Sequence, residues 1–74
     1  MAKDDWALSN YNVVLEHATN LQDSGAQKAF EFCNEISEPS RNAEVRYSRS
    51  RNAFRIRDRL DPTRWKTFYL KVPG

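Results

Sequence analysis

Residues 44–72 read EVRYSRSRNAFRIRDRLDPTRWKTFYLKV, and this stretch decides the fold because apolar and basic side chains alternate along it. Successive side chains of a β-strand point to opposite faces of a sheet. Phe54 and Ile56 therefore fall on one face, while Arg55 and Arg57 fall on the other. The pattern predicts a strand with one buried side and one basic side.

The same alternation appears in residues 45–48 and in residues 67–72, so the sequence predicts three half-buried strands. Asn52 lies in the connection between the first two, and asparagine tolerates the left-handed backbone of hairpin loops. Asp61 and Pro62 suit the first two positions of a type I turn that leads into the third strand. These signals together predict an antiparallel sheet.

Two helices are predicted before the sheet. Apolar residues recur at three- and four-residue intervals in residues 11–21, and Ser9 or Asn10 is suited to cap the start. Residues 26–36 carry a second apolar stripe, and Ser24 with Gln27 resembles a capping box before it. Because Tyr11, Val13 and Leu15 also alternate, a strand over residues 11–18 is the rival interpretation.

The predicted fold class is α+β, with two short helices packed on one face of a three-stranded antiparallel sheet in the order ααβββ; the rival order is βαβββ. The 74 residues are long enough for a single small domain. Within it we expect a flexible lead-in over residues 1–9, an acidic helical half over residues 10–36 and a basic sheet over residues 43–73. Residues 37–42 form the polar connector, in which Pro39 ends the second helix.

The two halves of the chain carry opposite charge. Residues 1–37 hold two lysines and six acidic residues, a net charge of −4, whereas residues 38–74 hold ten basic and four acidic residues, a net charge of +6. Such asymmetry indicates an anionic partner for the basic half. With no membrane-length apolar run and no signal-peptide pattern, we expect no membrane partner and a cytoplasmic location, or a nuclear one in a eukaryote.

The sequence offers no constellation suited to catalysis, and we expect a non-enzymatic protein without cofactor or metal. His17 is the single histidine, and no set of metal ligands surrounds it. Cys33 lies in the apolar stripe of the second helix, where a free cysteine behaves as a small buried residue. Glycines occur at positions 25 and 74 alone, which excludes a glycine-rich phosphate loop.

The polar face of the predicted sheet is the candidate binding site. Arginines that share one sign of charge and are interleaved with aromatic rings are typical of surfaces that contact phosphates and stack on bases. Two arginines in the hairpin connection are placed as a basic finger beside that face. The predicted nucleic-acid-binding residues are Arg46, Arg49, Arg51, Arg55, Arg57, Trp65, Tyr69 and Lys71.

The leading expectation is a small protein that binds DNA or RNA through this face. The alternative is a small adaptor or inhibitor protein, of the kind that phages also encode, that docks on an acidic surface of a larger protein. A homodimer joined through an open sheet edge is compatible with either function.

Overall fold

The computed structural model describes residues 5–36 and 42–71, in which two helices pack on one face of an antiparallel sheet. The predicted α+β class is confirmed, but the sheet has four strands instead of three. They are arranged in chain order, β1-β2-β3-β4, and each neighbouring pair is antiparallel. The elements are β1 (Trp6–Leu8), α1 (Tyr11–Thr19), α2 (Ser24–Ile36), β2 (Ala43–Ser48), β3 (Ala53–Asp58) and β4 (Trp65–Tyr69).

The additional strand, β1, lies in the segment expected to be a lead-in. Trp6 aligns with Ser48 of β2, and the backbone N–H of Ser9 donates to the carbonyl of Val45 at 2.7 Å. Three residues are too few to show an alternation in the sequence. The strand forms because β2 provides hydrogen-bonding partners for its backbone. The element order is therefore βααβββ, and both predicted orders are wrong.

Helix α1 confirms the helical interpretation of residues 11–19. Its cap is Asn10, whose side-chain oxygen accepts a hydrogen bond from the N–H of Val13 at 3.1 Å. Helix α2 is capped by Asp23 instead of the expected Ser24, since the Asp23 carboxylate accepts from the N–H groups of Gly25 at 2.8 Å and Ala26 at 3.3 Å. A carboxylate is the stronger acceptor at a helix start, where the backbone dipole is positive.

The core fills the space between the helices and the sheet. Phe54 and Ile56 are fully buried, and Phe32 of α2 lies in the core with its ring centroid 5.6 Å from that of Phe68. Phe30 is half-buried against Tyr11 of α1. The buried hydrophobic cluster consists of Val14, Ala18, Ala26, Ala29, Phe32, Cys33, Ala43, Val45, Phe54, Ile56 and Leu70.

Both predicted connections of the sheet are present. Asn52 has a φ of 52°, the left-handed conformation expected in the β2–β3 hairpin. The N–H of Arg64 donates to the carbonyl of Asp61 at 2.9 Å, which closes the turn before β4. Of the other predicted segments, residues 1–4 of the lead-in, residues 37–41 of the connector and residues 72–73 of the sheet lie outside the described residues.

No helix of the described residues combines the length and the apolar character that crossing a membrane requires.

Candidate functional site

The candidate site is the outer face, which we define as the side of the sheet opposite the helices. The pairing registers place its side chains in three rows across the strands, because residues opposite each other in neighbouring strands point to the same side. The first row is Trp6, Ser48, Ala53 and Tyr69, the second is Leu8, Arg46, Arg55 and Thr67, and the third is Glu44, Arg57 and Trp65.

Glu44 occupies the third row and contradicts the expectation that the charges of this face share one sign. Its Oε2 accepts from Arg46 at 3.1 Å, and its Oε1 accepts from Arg57 at 2.6 Å. Burial raises the pKa of Glu44, but hydrogen bonds from Arg57 and Arg46, reinforced by their charges, outweigh burial and hold it below its ordinary value. The carboxylate therefore stays ionised at neutral pH and fixes two guanidinium groups.

Arg55 is held by aromatic rings. Its guanidinium carbon lies 4.3 Å from the centroid of the Trp6 ring and 5.4 Å from that of Trp65. Its Nε is buried without a hydrogen-bond partner among the described residues. Contact with a ring face leaves the positive charge in place, so Arg55 supplies charge that no carboxylate of residues 5–36 and 42–71 neutralises.

Trp6 covers part of the outer face. It is 8 % exposed although it lies outside the hydrophobic core, and the guanidinium carbon of Arg51 is 5.3 Å from its ring centroid. Ser48 and Ala53, the two small residues of the same row, are fully buried. Small side chains at these positions leave room for the indole, which separates the hairpin from the open part of the face.

The open part is a cleft of about 490 Å³ lined by Glu44, Arg46, Arg55, Arg57 and Trp65. Three guanidinium groups against one carboxylate give the lining a net charge of +2. Trp65 forms one side and is 51 % exposed, while Tyr69 at the far end of the same strand is 62 % exposed. The volume lies within the range of about 300–1,000 Å³ that is typical of small-ligand sites.

The hairpin does not form the free basic finger that its sequence suggested. The carboxylate of Asp5 accepts hydrogen bonds from Ser48, Ser50 and Arg51. Bonds from Ser50 and then Ser48, with a contribution from the charge of Arg51, lower the pKa of Asp5 to about 2. Arg51 is therefore committed to holding β1 against the hairpin, whereas Arg49 is exposed at its tip.

The eight predicted residues thus separate into groups. The cleft brings together Arg46, Arg55, Arg57 and Trp65, while Tyr69 lies on the same face outside the cleft lining. Lys71 lies beyond β4, where its backbone N–H donates to the Asp23 carboxylate at 2.9 Å, and it lines a separate hollow beside the start of α2.

His17 and Cys33 take part in the packing and hydrogen bonding of the fold. Nδ1 of His17 donates to the carbonyl of Val13 at 2.9 Å, and its ring packs edge-on against Phe54 with centroids 5.3 Å apart. Burial raises the pKa of the Cys33 thiol to about 12, which keeps it protonated, and the predicted burial of this residue is confirmed. Among the described residues, no group of three or more potential ligands is placed to hold a metal ion.

Sequence reasoning missed three residues that shape the site. Glu44 could have been predicted from the sequence, because it lies two positions before Arg46 and therefore shares its face. Trp6 and Asp5 gave no such signal, since their roles depend on pairing with residues about forty positions away.

Comparison of the chain with protein-family models, with curated proteins and with solved structures finds no match.

Proposed function

We propose that this chain is a small, non-enzymatic protein that binds single-stranded nucleic acid on its outer face. The observation that carries the proposal is the cleft, where a half-exposed Trp65 stands beside three arginines on an open sheet surface. An exposed indole offers a ring face on which an unpaired base stacks, and guanidinium groups at its side reach the neighbouring phosphates. A base within a duplex has no free face, so the geometry favours single strands.

Two arginines of the cleft are oriented by contacts within the protein. Arg57 uses its Nε and Nη2 for Glu44, and its side chain remains 47 % exposed. Arg46 is fixed by Glu44 and by the carbonyl of Trp6 at 3.3 Å. A side chain that is already oriented loses less conformational entropy on binding, so these internal contacts favour recognition even though they reduce the net charge.

The test is a fluorescence anisotropy titration of labelled single-stranded and duplex DNA and RNA, repeated over a range of salt. Trp65→Ala is expected to weaken single-strand binding by roughly fivefold to 150-fold, the value of one lost stacking contact. Arg57→Ala is expected to weaken binding to every sequence and to reduce the salt dependence by about one phosphate contact. Binding that is unaffected in a folded Trp65→Ala variant contradicts the proposal.

Arg64 provides a matched control for Arg57. Its side chain is 46 % exposed, it faces the carboxylate of Glu35 at 3.8 Å, and its guanidinium lies over Phe32 on the helical side of the sheet. Arg64→Ala therefore removes the same charge, together with a longer ion pair, from the opposite layer, and it is expected to leave binding nearly unchanged. Equal losses for the two variants would mean that net charge alone drives association.

A protein partner with an acidic surface is the second candidate function. Leu8, Trp65 and Tyr69 are all more than half exposed on the outer face, and aromatic residues with arginine are the types that dominate protein interfaces. The discriminating experiment is capture from a nuclease-treated extract with the wild-type chain and with Trp65→Ala. A protein retained by the first and lost by the second, together with no affinity for nucleic acid, favours this function.

A further inference from the structure

Asp5 and Trp6 place an anionic group and an aromatic ring against the arginines of the outer face. The Asp5 carboxylate accepts hydrogen bonds from the hydroxyl of Ser48 at 2.8 Å and from Nη1 of Arg51. A second hydroxyl, that of Ser50, donates to the same carboxylate. Arginine and hydroxyl side chains bind the oxygens of a phosphate in the same way, because phosphate and carboxylate both accept several charge-assisted hydrogen bonds.

The indole of Trp6 is held as a stacked base is held. The guanidinium carbon of Arg55 lies 4.3 Å from its ring centroid, and that of Arg51 lies 5.3 Å from it. Ser48 and Ala53, which share its row on the outer face, are fully buried beneath it. Guanidinium planes stack on nucleic-acid bases as they do on indole rings. The space that the indole fills is therefore suited to a base.

Two arginines join this arrangement to the cleft. Arg51 contacts both the carboxylate of Asp5 and the ring of Trp6, so an anion and a ring share one guanidinium. A nucleotide likewise carries a phosphate and a base on one sugar. Arg55 lies between the rings of Trp6 and Trp65. A strand whose base stacks on Trp65 therefore reaches the position of Trp6 by extending past one arginine.

Strand β1 is built in a way that favours its displacement. It has three residues and lies at an edge of the sheet, so it pairs with one strand, β2. Short elements with few neighbours are the first to open in a folded protein. Opening also frees Nη1 of Arg46, which donates to the carbonyl of Trp6 at 3.3 Å. A base that enters the vacated space covers Ser48 and Ala53 again, so part of the lost packing is restored.

We infer that Asp5 and Trp6 occupy a second nucleotide subsite of the outer face, with the carboxylate in the place of a phosphate and the indole in the place of a base. The two residues act as an internal competitor, and a strand that extends beyond Trp65 displaces β1 to fill the subsite. The inference rests on the proposed binding of single strands at Trp65. A ligand confined to the cleft leaves β1 in place, whereas a longer strand gains a further base and a further phosphate contact.

The first test uses the wild-type protein and an unlabelled thymidine decamer, because the chain has two tryptophans of different exposure. In the free protein, a soluble paramagnetic agent should broaden the NMR signals of the Trp65 indole, which is 51 % exposed, and spare those of Trp6, which is 8 % exposed. In the saturated complex we expect the reverse, since a base covers Trp65 and the displaced Trp6 meets solvent.

The second test removes the competing carboxylate. Asp5→Ala is expected to tighten binding of a labelled thymidine decamer by roughly tenfold, the value of one hydrogen bond to a charged group. Glu35→Ala is the matched control, because it removes the same charge and also releases one arginine, Arg64, in the helical layer. It is expected to change the affinity much less. Addition of Arg51→Ala to Asp5→Ala should abolish the gain, since Arg51 is the group that Asp5 withholds from a phosphate.

The possible results distinguish failure of the proposed function from failure of the second subsite. A Trp65 that stays exposed, with no binding of the decamer by the wild type or by folded Asp5→Ala, contradicts the proposed function itself. Binding with Trp6 still protected, equal gains in Asp5→Ala and Glu35→Ala, or a gain that persists without Arg51 overturns the second subsite and leaves the proposed function standing. Binding that exposes Trp6, with a gain confined to Asp5→Ala, supports it.

Discussion

Replacement of Gly25 by alanine is expected to destabilise the fold, although helix propensity alone predicts the opposite. Gly25 lies in the first turn of α2, directly against the end of β4. A Cβ at this position would overlap the backbone carbonyl oxygen of Tyr69 and lie 3.0 Å from its carbonyl carbon. Neither atom belongs to a flexible side chain, so the helix start must move away from the strand.

The loss in the free energy of unfolding depends on the packing and the hydrogen bonds of Asp23 that this movement disturbs. Asp23 is 1 % exposed, and its carboxylate accepts from the N–H of Lys71 at 2.9 and 3.1 Å. Crowding of a packed interior costs about 1–3 kcal/mol, and weakening the bonds to a buried carboxylate costs about 1–3 kcal/mol more. Alanine recovers about 0.5–1 kcal/mol in a helix. The net loss in the free energy of unfolding is therefore about 1–5 kcal/mol.

Urea denaturation of Gly25→Ala followed by circular dichroism measures this loss. A domain of 74 residues is expected to have a free energy of unfolding of roughly 4–11 kcal/mol. The variant should therefore remain folded unless the wild-type value lies at the lower end of that range. Ser24→Ala, an exposed neighbour in the same helix, is the control and should change the stability by about 0.5 kcal/mol or less. A Gly25→Ala protein as stable as the wild type would refute the reasoning.

Three further outcomes are expected. Trp6→Ala should lower the free energy of unfolding by about 3 kcal/mol in urea denaturation, because the buried indole and its two cation contacts are lost. Both variants of Asn52 lose its side-chain hydrogen bonds with Tyr47 and Leu70, and Asn52→Val should be less stable than Asn52→Gly by about 1–2 kcal/mol in the same assay, since valine resists a φ of 52°. Asp5 should titrate with a pKa of about 2 by NMR, below the ordinary 3.8. Because the folded-state pKa is the lower one, its stabilisation is complete above about pH 4 and is lost as the pH falls towards 2, and Asp5→Asn should lack this part of the pH dependence.

The sequence by itself determined which side of its strand each side chain occupies. The alternation in residues 45–48 and 54–57 places Phe54 and Ile56 towards the helices and Arg55 and Arg57 away from them, as the structure has them. A period of two is a local property of an extended chain and needs no knowledge of its neighbours. The position of Asn52 in a left-handed turn follows from equally local chemistry.

The tertiary structure alone decided what those side chains meet. Glu44 binds Arg57 because the β2–β3 register sets the two residues opposite each other, and Trp6 covers the face because β1 pairs with a strand about forty residues later. Asp23 caps α2 and also holds the end of β4, a contact between residues 48 positions apart. Local periodicity fixes direction but not the partner, since the partner depends on strand register and on closing long loops. The basic face could therefore be predicted from the sequence, whereas its partial neutralisation by Glu44 required the fold.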